Sequence, residues 1–355
     1  MNWEIYRDKL LEATVRSGAS DLHLTVGRKP TLRVDGSLVA IEEETELNPD
    51  SVAAIIKTLL TPLREQKLAE RRDVDFAYNF HDRARFRVNV YYQRGFLAAA
   101  LRHISATLLS IEELRTPVLR DFAKLNQGFL LIVGPAGSGK TTMLAALVDE
   151  VNRNRPDHII TIEDPIEYLF TADRANIDQR EVGLDTLSFA EALRAALRQD
   201  PDVIMVGEMR DVETITTAIT AAETGHLVLA SLHTNSAAQT IDRMIDSFPP
   251  QQQNQIRTQL ADTLVGVISR RLVPAVGGGR VPAAEIMITN LAIRTLIREQ
   301  KTHQINLVIE TSVEEGMMTL NRSLAGLVKT GEIALDHARL YSLNPVELNM
   351  LLEKS

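Results

Sequence analysis

Residues 2–17 carry apolar side chains at helical spacing, with Trp3, Leu10, Leu11 and Val15 predicted on the buried side. The stretch that follows, SDLHLTVGRKPTLRVDGSLVAI, alternates apolar and polar positions and predicts strands. Asp35–Gly36 falls at a tight hairpin turn, because Asp-Gly tolerates positive φ angles. Residues 50–71 read as helical, with Pro62 suited to a first helical turn. VDFAYNF, ARFRVNVYYQ and LAAALRHI read as strands. The first part of the chain, 1–104, is thus predicted to be a small α+β domain. A linker follows over 105–127, with one short helix starting near Pro117.

From residue 128 the rhythm changes. Apolar runs alternate with amphipathic helices: FLLIV before 140–153, HIITI before 188–199, VIMV before 211–224, and LVLASL before 236–247. Buried parallel strands joined by crossover helices produce this alternation, so 128–355 is predicted to be an α/β domain with a parallel-sheet core. Ser188 with Glu191, and Ser236 with Gln239, match capping boxes. Gly225 suits the left-handed position just past a helix end. The last hundred residues read as mostly helical, with Gly277–Gly279 marking a loop.

Composition narrows the function classes. The chain has 355 residues and 45% are hydrophobic, enough for two cores. Its net charge of −8 weighs against a nucleic-acid partner, since phosphate-backbone binding goes with a basic surface. The absence of cysteine excludes disulfides and thiolate zinc sites. No apolar run approaches the roughly 18–20 residues that span a bilayer, and MNWEIYRDKLLEA lacks a secretory signal's apolar centre. The expectation is a cytoplasmic protein with no membrane span of its own.

The chemistry starts at GPAGSGKT. Gly134, Pro135, Ala136, Gly137, Ser138, Gly139, Lys140 and Thr141 match G-x-x-x-x-G-K-[ST] in full, and Thr142 follows on the helix. Glycines let the backbone wrap a phosphate and aim N–H donors at it, Lys140 reaches the β and γ phosphates, and Thr141 offers a hydroxyl to Mg²⁺. ATP and Mg²⁺ are therefore the expected ligands. In an open parallel sheet the other groups gather where the strands end. HIITI ends in Glu163-Asp164, VIMV in Gly207-Glu208, and LVLASL in His233. A nucleotide hydrolase needs a metal ligand, a group that orients water and a sensor of the γ-phosphate. Glu208 is the candidate to polarise water and His233 the candidate sensor. Gly207 stands where a metal-binding Asp often ends such a strand, so Glu163 is the candidate metal carboxylate, with Asp164 as second choice. His226 starts the strand that His233 follows, roughly 20 Å away along an extended chain, and is not expected to touch the same atom.

These stretches, taken in order, resemble the type IV pilus retraction ATPases of the secretion-ATPase superfamily. The carriers are SDLHLTVGRKPTLRVDG, GPAGSGKTT, TIEDPIEY, ALRQDPDVIMVGEMRD, TAAETGHLVLASLHT, GGGRVPAAEIMI and AIRTLIRE, spread over nearly the whole chain. The resemblance implies a PAS-like amino-terminal domain, a RecA-like P-loop domain and a ring of six subunits. It further implies that Arg87 and Arg102, with Arg94 as a third, help bind nucleotide from the amino-terminal domain. Implied partners are an inner-membrane platform protein of the pilus machine and a paralogous retraction ATPase, with peripheral attachment to the inner membrane. In such proteins AIRTLIRE, residues 292–299, is linked to retraction rather than hydrolysis; Thr295 stands here where the family commonly has Asn. The expected function is an ATP-driven retraction motor. The alternatives are an accessory retraction ATPase or an assembly ATPase and, from another class, a nucleotide-dependent switch with little turnover.

Overall fold

The computed structural model describes residues 2–34, 36–81, 84–104 and 108–353. The chain divides into two compact units, Met1–Leu108 with Pro165–Leu169, and Leu109–Asp164 with Phe170–Ser355.

The first unit runs α1 (Trp3–Arg16), β1 (Asp21–Leu24), β2 (Thr31–Val34), β3 (Ser37–Ala40), α2 (Pro49–Lys57), α3 (Pro62–Arg71), β4 (Asp73–Phe80), β5 (Ala84–Gln93) and β6 (Phe96–Ile104). Its antiparallel sheet has the order β3-β2-β1-β6-β5-β4. Asn2 starts α1 by accepting from the N–H groups of Glu4 and Ile5. The helical expectation over 50–71 resolves into two helices. Thr61 caps the second, and Pro62 follows at its first position, where a missing N–H costs nothing. Inward residues of β5 alternate as the pattern predicts, and Phe86, Val88 and Val90 meet Leu10, Leu11, Ile55 and Ile56 in one core. The predicted β2–β3 hairpin forms, although Asp35 of its turn lies outside the described residues.

The second unit begins with α4 (Leu119–Ala123), β7 (Gly128–Val133), α5 (Lys140–Asn154), β8 (His158–Glu163), β9 (Asn176–Glu181), α6 (Phe189–Ala196), β10 (Val203–Val206), α7 (Val212–Glu223) and β11 (Leu227–Leu232). It continues with α8 (Ala237–Asp246), α9 (Pro250–Thr263), β12 (Leu264–Pro274), β13 (Arg280–Ile288) and α10 (Leu291–Arg298), then α11 (Ile305–Thr311), α12 (Leu320–Lys329), α13 (Leu335–Tyr341) and α14 (Pro345–Glu353). The sheet order is β13-β12-β7-β11-β10-β8-β9. All neighbours are parallel except the β12–β13 pair. The strands β7, β10 and β11 are buried along their whole length, as helices on both faces require.

Several other expectations change. Residues 105–107 lie outside the described residues, but the rest of the predicted linker packs into the second unit. Ile111, Leu114, Leu119 and Phe122 share a core with β7 and α5, because apolar residues at that spacing need a face to bury. Gly266 makes room for Phe122, since a Cβ there would lie 2.5 Å from its ring. The carboxyl-terminal hundred residues also carry the β12–β13 hairpin, with Gly277–Gly279 in its loop. Finally, β9 reads NIDQRE, a polar strand at the sheet edge that no apolar run announces. Of the capping boxes, each helix keeps one half: Ser188 accepts from Glu191 N and Ser236 from Gln239 N, while the Gln239 side chain turns to Asn235 N.

Candidate functional site

The strand order carries the site. β7, β11, β10 and β8 lie side by side and parallel, so their carboxyl ends form one rim. That rim presents, in order, the phosphate loop, His233, Glu208 and Glu163. Gly134 has φ 146°, and a Cβ on it would lie 2.4 Å from the Arg270 carbonyl oxygen, so only glycine fits there. Gly137 and Gly139 also take positive φ. Pro135, Ala136 and Gly137 form the exposed crest of the loop, while Ser138 is buried beneath it. Lys140 opens α5 and is buried; its Nζ donates to the carbonyls of Gly134 and Pro135, each at 3.0 Å. Thr141 and Thr142 are half-buried in the first turn of α5.

The side chains meet across the rim. Lys140 Nζ lies 3.3 Å from His233 Nδ1. His233 Nε2 lies 3.2 Å from Glu208 Oε1, and Glu208 Oε2 accepts from Arg210 at 2.8 Å. An ammonium can only donate, so Nδ1 accepts and Nε2 carries the proton toward Glu208. Burial alone would raise the Glu208 pKa. The Arg210 hydrogen bond and charge, with His233, outweigh burial and hold it below the ordinary carboxylate value. Arg243 donates to the His233 carbonyl at 3.0 Å, steadying the segment that follows β11. A cleft of about 320 Å³ opens here, lined by Glu208, Arg210, His233 and Arg243 among others.

Glu163 ends β8 and is 4% exposed. Its Oε1 accepts from Thr161 at 2.7 Å and from Gln179 of β9 at 3.2 Å. Gly207 lies against it: a Cβ on Gly207 would stand 3.5 Å from Glu163 Cα and 3.2 Å from the Ile162 carbonyl. A side chain at 207 would crowd the neighbouring strand, which accounts physically for the glycine. Asp164 is exposed, one position further, and acts electrostatically on Arg210. His226 lies at the start of β11, away from the rim, where Nδ1 contacts the Ala221 carbonyl at the end of α7.

In the first unit, Arg87 and Arg102 are direct cross-strand partners on β5 and β6. Like charges in that position repel, and each is offset by its own carboxylate: Arg87 pairs with Asp75, and Arg102 Nε lies 3.1 Å from Asp21. The row continues, since Asp21 faces Arg102 on one side and Arg33 on the other. Arg94 is not in that row; it sits in the β5–β6 turn with φ 51°.

The helix holding AIRTLIRE buries Ile293 and Ile297. Arg294 donates to the carbonyls of Ala261 and Asp262 at the end of α9, and Arg298 pairs with Asp262. Arg294 thus caps a neighbouring helix, where cations are favoured, and Arg298 pairs with a side chain at the same helix end.

The apolar pattern does not point to Arg210, Arg243, Gln179, Arg33 or Arg270, although Arg210 stands only two positions past Glu208. Gln179 and Arg270 lie on strands that carried no signal.

The Type II/IV secretion system protein model matches residues 3–335. The chain is 46% identical over 332 residues to the Type IV pilus retractation ATPase PilT of Pseudomonas aeruginosa, covering 93% of this chain and 96% of that protein. It is 44% identical over 317 residues to a twitching motility protein of Neisseria gonorrhoeae, covering 89% and 84%. A crystal structure of the pilus retraction motor PilT with bound ADP superposes with a TM-score of 0.90 at 46% identity, covering 97% of this chain and 98% of that one.

Proposed function

Since the chain belongs to the type II/IV secretion system protein family, we propose that it is an ATP-hydrolysing motor that drives retraction of a type IV pilus. The observation that carries the reading is the unbroken line Lys140–His233–Glu208 along the rim that also bears the phosphate loop. The loop N–H groups and Lys140 hold the phosphates. Mg²⁺, when bound, neutralises charge that builds on the phosphate oxygens. Thr141 and Glu163 supply a hydroxyl and a carboxylate, the hard oxygen donors that suit this ion, and the two hydrogen bonds to Glu163 Oε1 fix its carboxylate. Glu208, kept ionised by Arg210, accepts the proton of the attacking water. His233 links it to Lys140, so that displacement of Lys140 toward phosphate is felt at Glu208.

Arg87 and Arg102 act from the amino-terminal domain on a nucleotide held by an adjoining protomer. Arginine suits this because its planar fork pairs with phosphate oxygens and stays protonated. The working assembly is a homohexamer on the cytoplasmic face of the inner membrane, docked to a platform protein of the pilus machine. No helix among the described residues is long and apolar enough to cross a membrane, which fits attachment through that partner. ATP turnover by purified wild type against Lys140→Ala, with pilus length and surface motility after gene deletion, tests the reading. Turnover lost in Lys140→Ala, with long pili and no motility in the deletion, supports it; a deletion strain with normal motility contradicts the retraction role.

A further inference from the structure

Arg270 follows Ser269, whose register partner on β7 is Val133, the last residue before the phosphate loop. That register sets Arg270 against both ends of the loop. Its carbonyl oxygen packs on Gly134, and its guanidinium packs on Gly139, with Cζ and Nε each 3.6 Å from where a Cβ would stand. Arg270 is 5% exposed. Its Nε and Nη1 are buried and find no hydrogen-bond acceptor. No carboxylate among the described residues forms an ion pair with it. Burial draws its pKa down to about 10, so it still carries its charge at neutral pH.

A buried guanidinium with unmet donors is costly, and an anion that approaches it offsets both the charge and the unmet donors. The described residues supply none, and the neighbouring loop is shaped for a polyanion. We propose that Arg270 is a positioning residue for nucleotide phosphates: its charge, acting through the Gly139 turn, raises affinity for nucleoside di- and triphosphates. The proposal rests on the nucleotide reading above and assigns part of that affinity to a cation outside the phosphate-loop motif. At the effective dielectric of a partly buried site, a charge one loop turn from a phosphate changes affinity by about tenfold or more.

The test uses the full chain as wild type, Arg270→Met, Arg270→Gln, Arg270→Lys and Lys140→Ala, with ADP titrated by calorimetry and thermal unfolding of each protein without nucleotide. Both neutral variants are expected to bind ADP about tenfold more weakly, while Arg270→Lys stays near wild type. The unfolding midpoint without nucleotide should hold or rise in the neutral variants, because a desolvated charge has been removed; Arg270→Gln serves if Arg270→Met does not fold. Wild-type binding that Lys140→Ala abolishes and both neutral variants leave intact would overturn this inference alone. Equal loss in the lysine and neutral variants would overturn it too, since shape rather than charge would then matter. A wild type that binds no ADP would overturn the nucleotide reading and this inference with it.

Discussion

Lys140, the first residue of α5, and His233, just past the end of β11, stand 3.3 Å apart, with the lysine donating to Nδ1 of the imidazole. The contact fixes the tautomer and turns Nε2–H toward Glu208. If Lys140 turned to a bound phosphate, His233 would lose this hydrogen bond and be less firmly held against Glu208. On the proposed reading, the imidazole would relay phosphate occupancy to Glu208.

Replacing His233 should separate binding from turnover. His233→Ala is expected to lower kcat on the order of 10², with ADP affinity within a few-fold of wild type. Steady-state kinetics and an ADP titration check this. A large loss of affinity with unchanged kcat would assign His233 to holding nucleotide instead.

Arg210 holds the Glu208 pKa down against burial. In Arg210→Ala the burial effect is unopposed by that cation, so the carboxylate gains its proton at higher pH. A group with a depressed folded value is charged above it and loses charge as pH falls through it. The acid limb of the kcat profile should therefore move to higher pH in Arg210→Ala. Identical limbs in the two proteins would remove Arg210 from this role.

Glu285 gives a pH dependence of stability. It is 5% exposed, accepts from Ala237 N at the start of α8, and lies near Arg271 and Glu347. Burial pushes its pKa up from 4.5 to about 7. Between those values the folded chain keeps a proton that the unfolded chain has released. Its stabilising effect is thus complete below the unfolded value and is lost as pH rises through 7, at most on the order of 3 kcal/mol. Glu285→Gln should gain stability relative to wild type between pH 5 and pH 8, read as thermal midpoints at both. A difference that does not change with pH would contradict the assignment.

Much of this was legible because the parallel strands advertise themselves. FLLIV, HIITI, VIMV and LVLASL are buried almost throughout, so each reads as a mainly apolar run, and the one or two residues after each run mark the rim. Once the strand ends are known, Lys140, His233 and Glu208 need only neighbouring positions in the sheet to meet, with Glu163 at the next strand end. What stayed hidden lies on elements without that signature. β9 is a polar edge strand, so Gln179 and its hold on Glu163 were invisible. β12 carries two arginines in SRRLVP, which interrupt its apolar pattern and conceal Arg270 behind the loop. The cross-strand row of Arg87, Arg102, Asp21 and Arg33 depends on register, which the alternating pattern alone leaves open.

The central claim is that the carboxylate after β10 acts on water while the loop after β7 holds the phosphates. The most direct measurement is ATP binding and single-turnover hydrolysis by Glu208→Ala beside wild type. The account predicts binding within a few-fold of wild type and hydrolysis reduced by about 10² or more. Hydrolysis near the wild-type rate would contradict it.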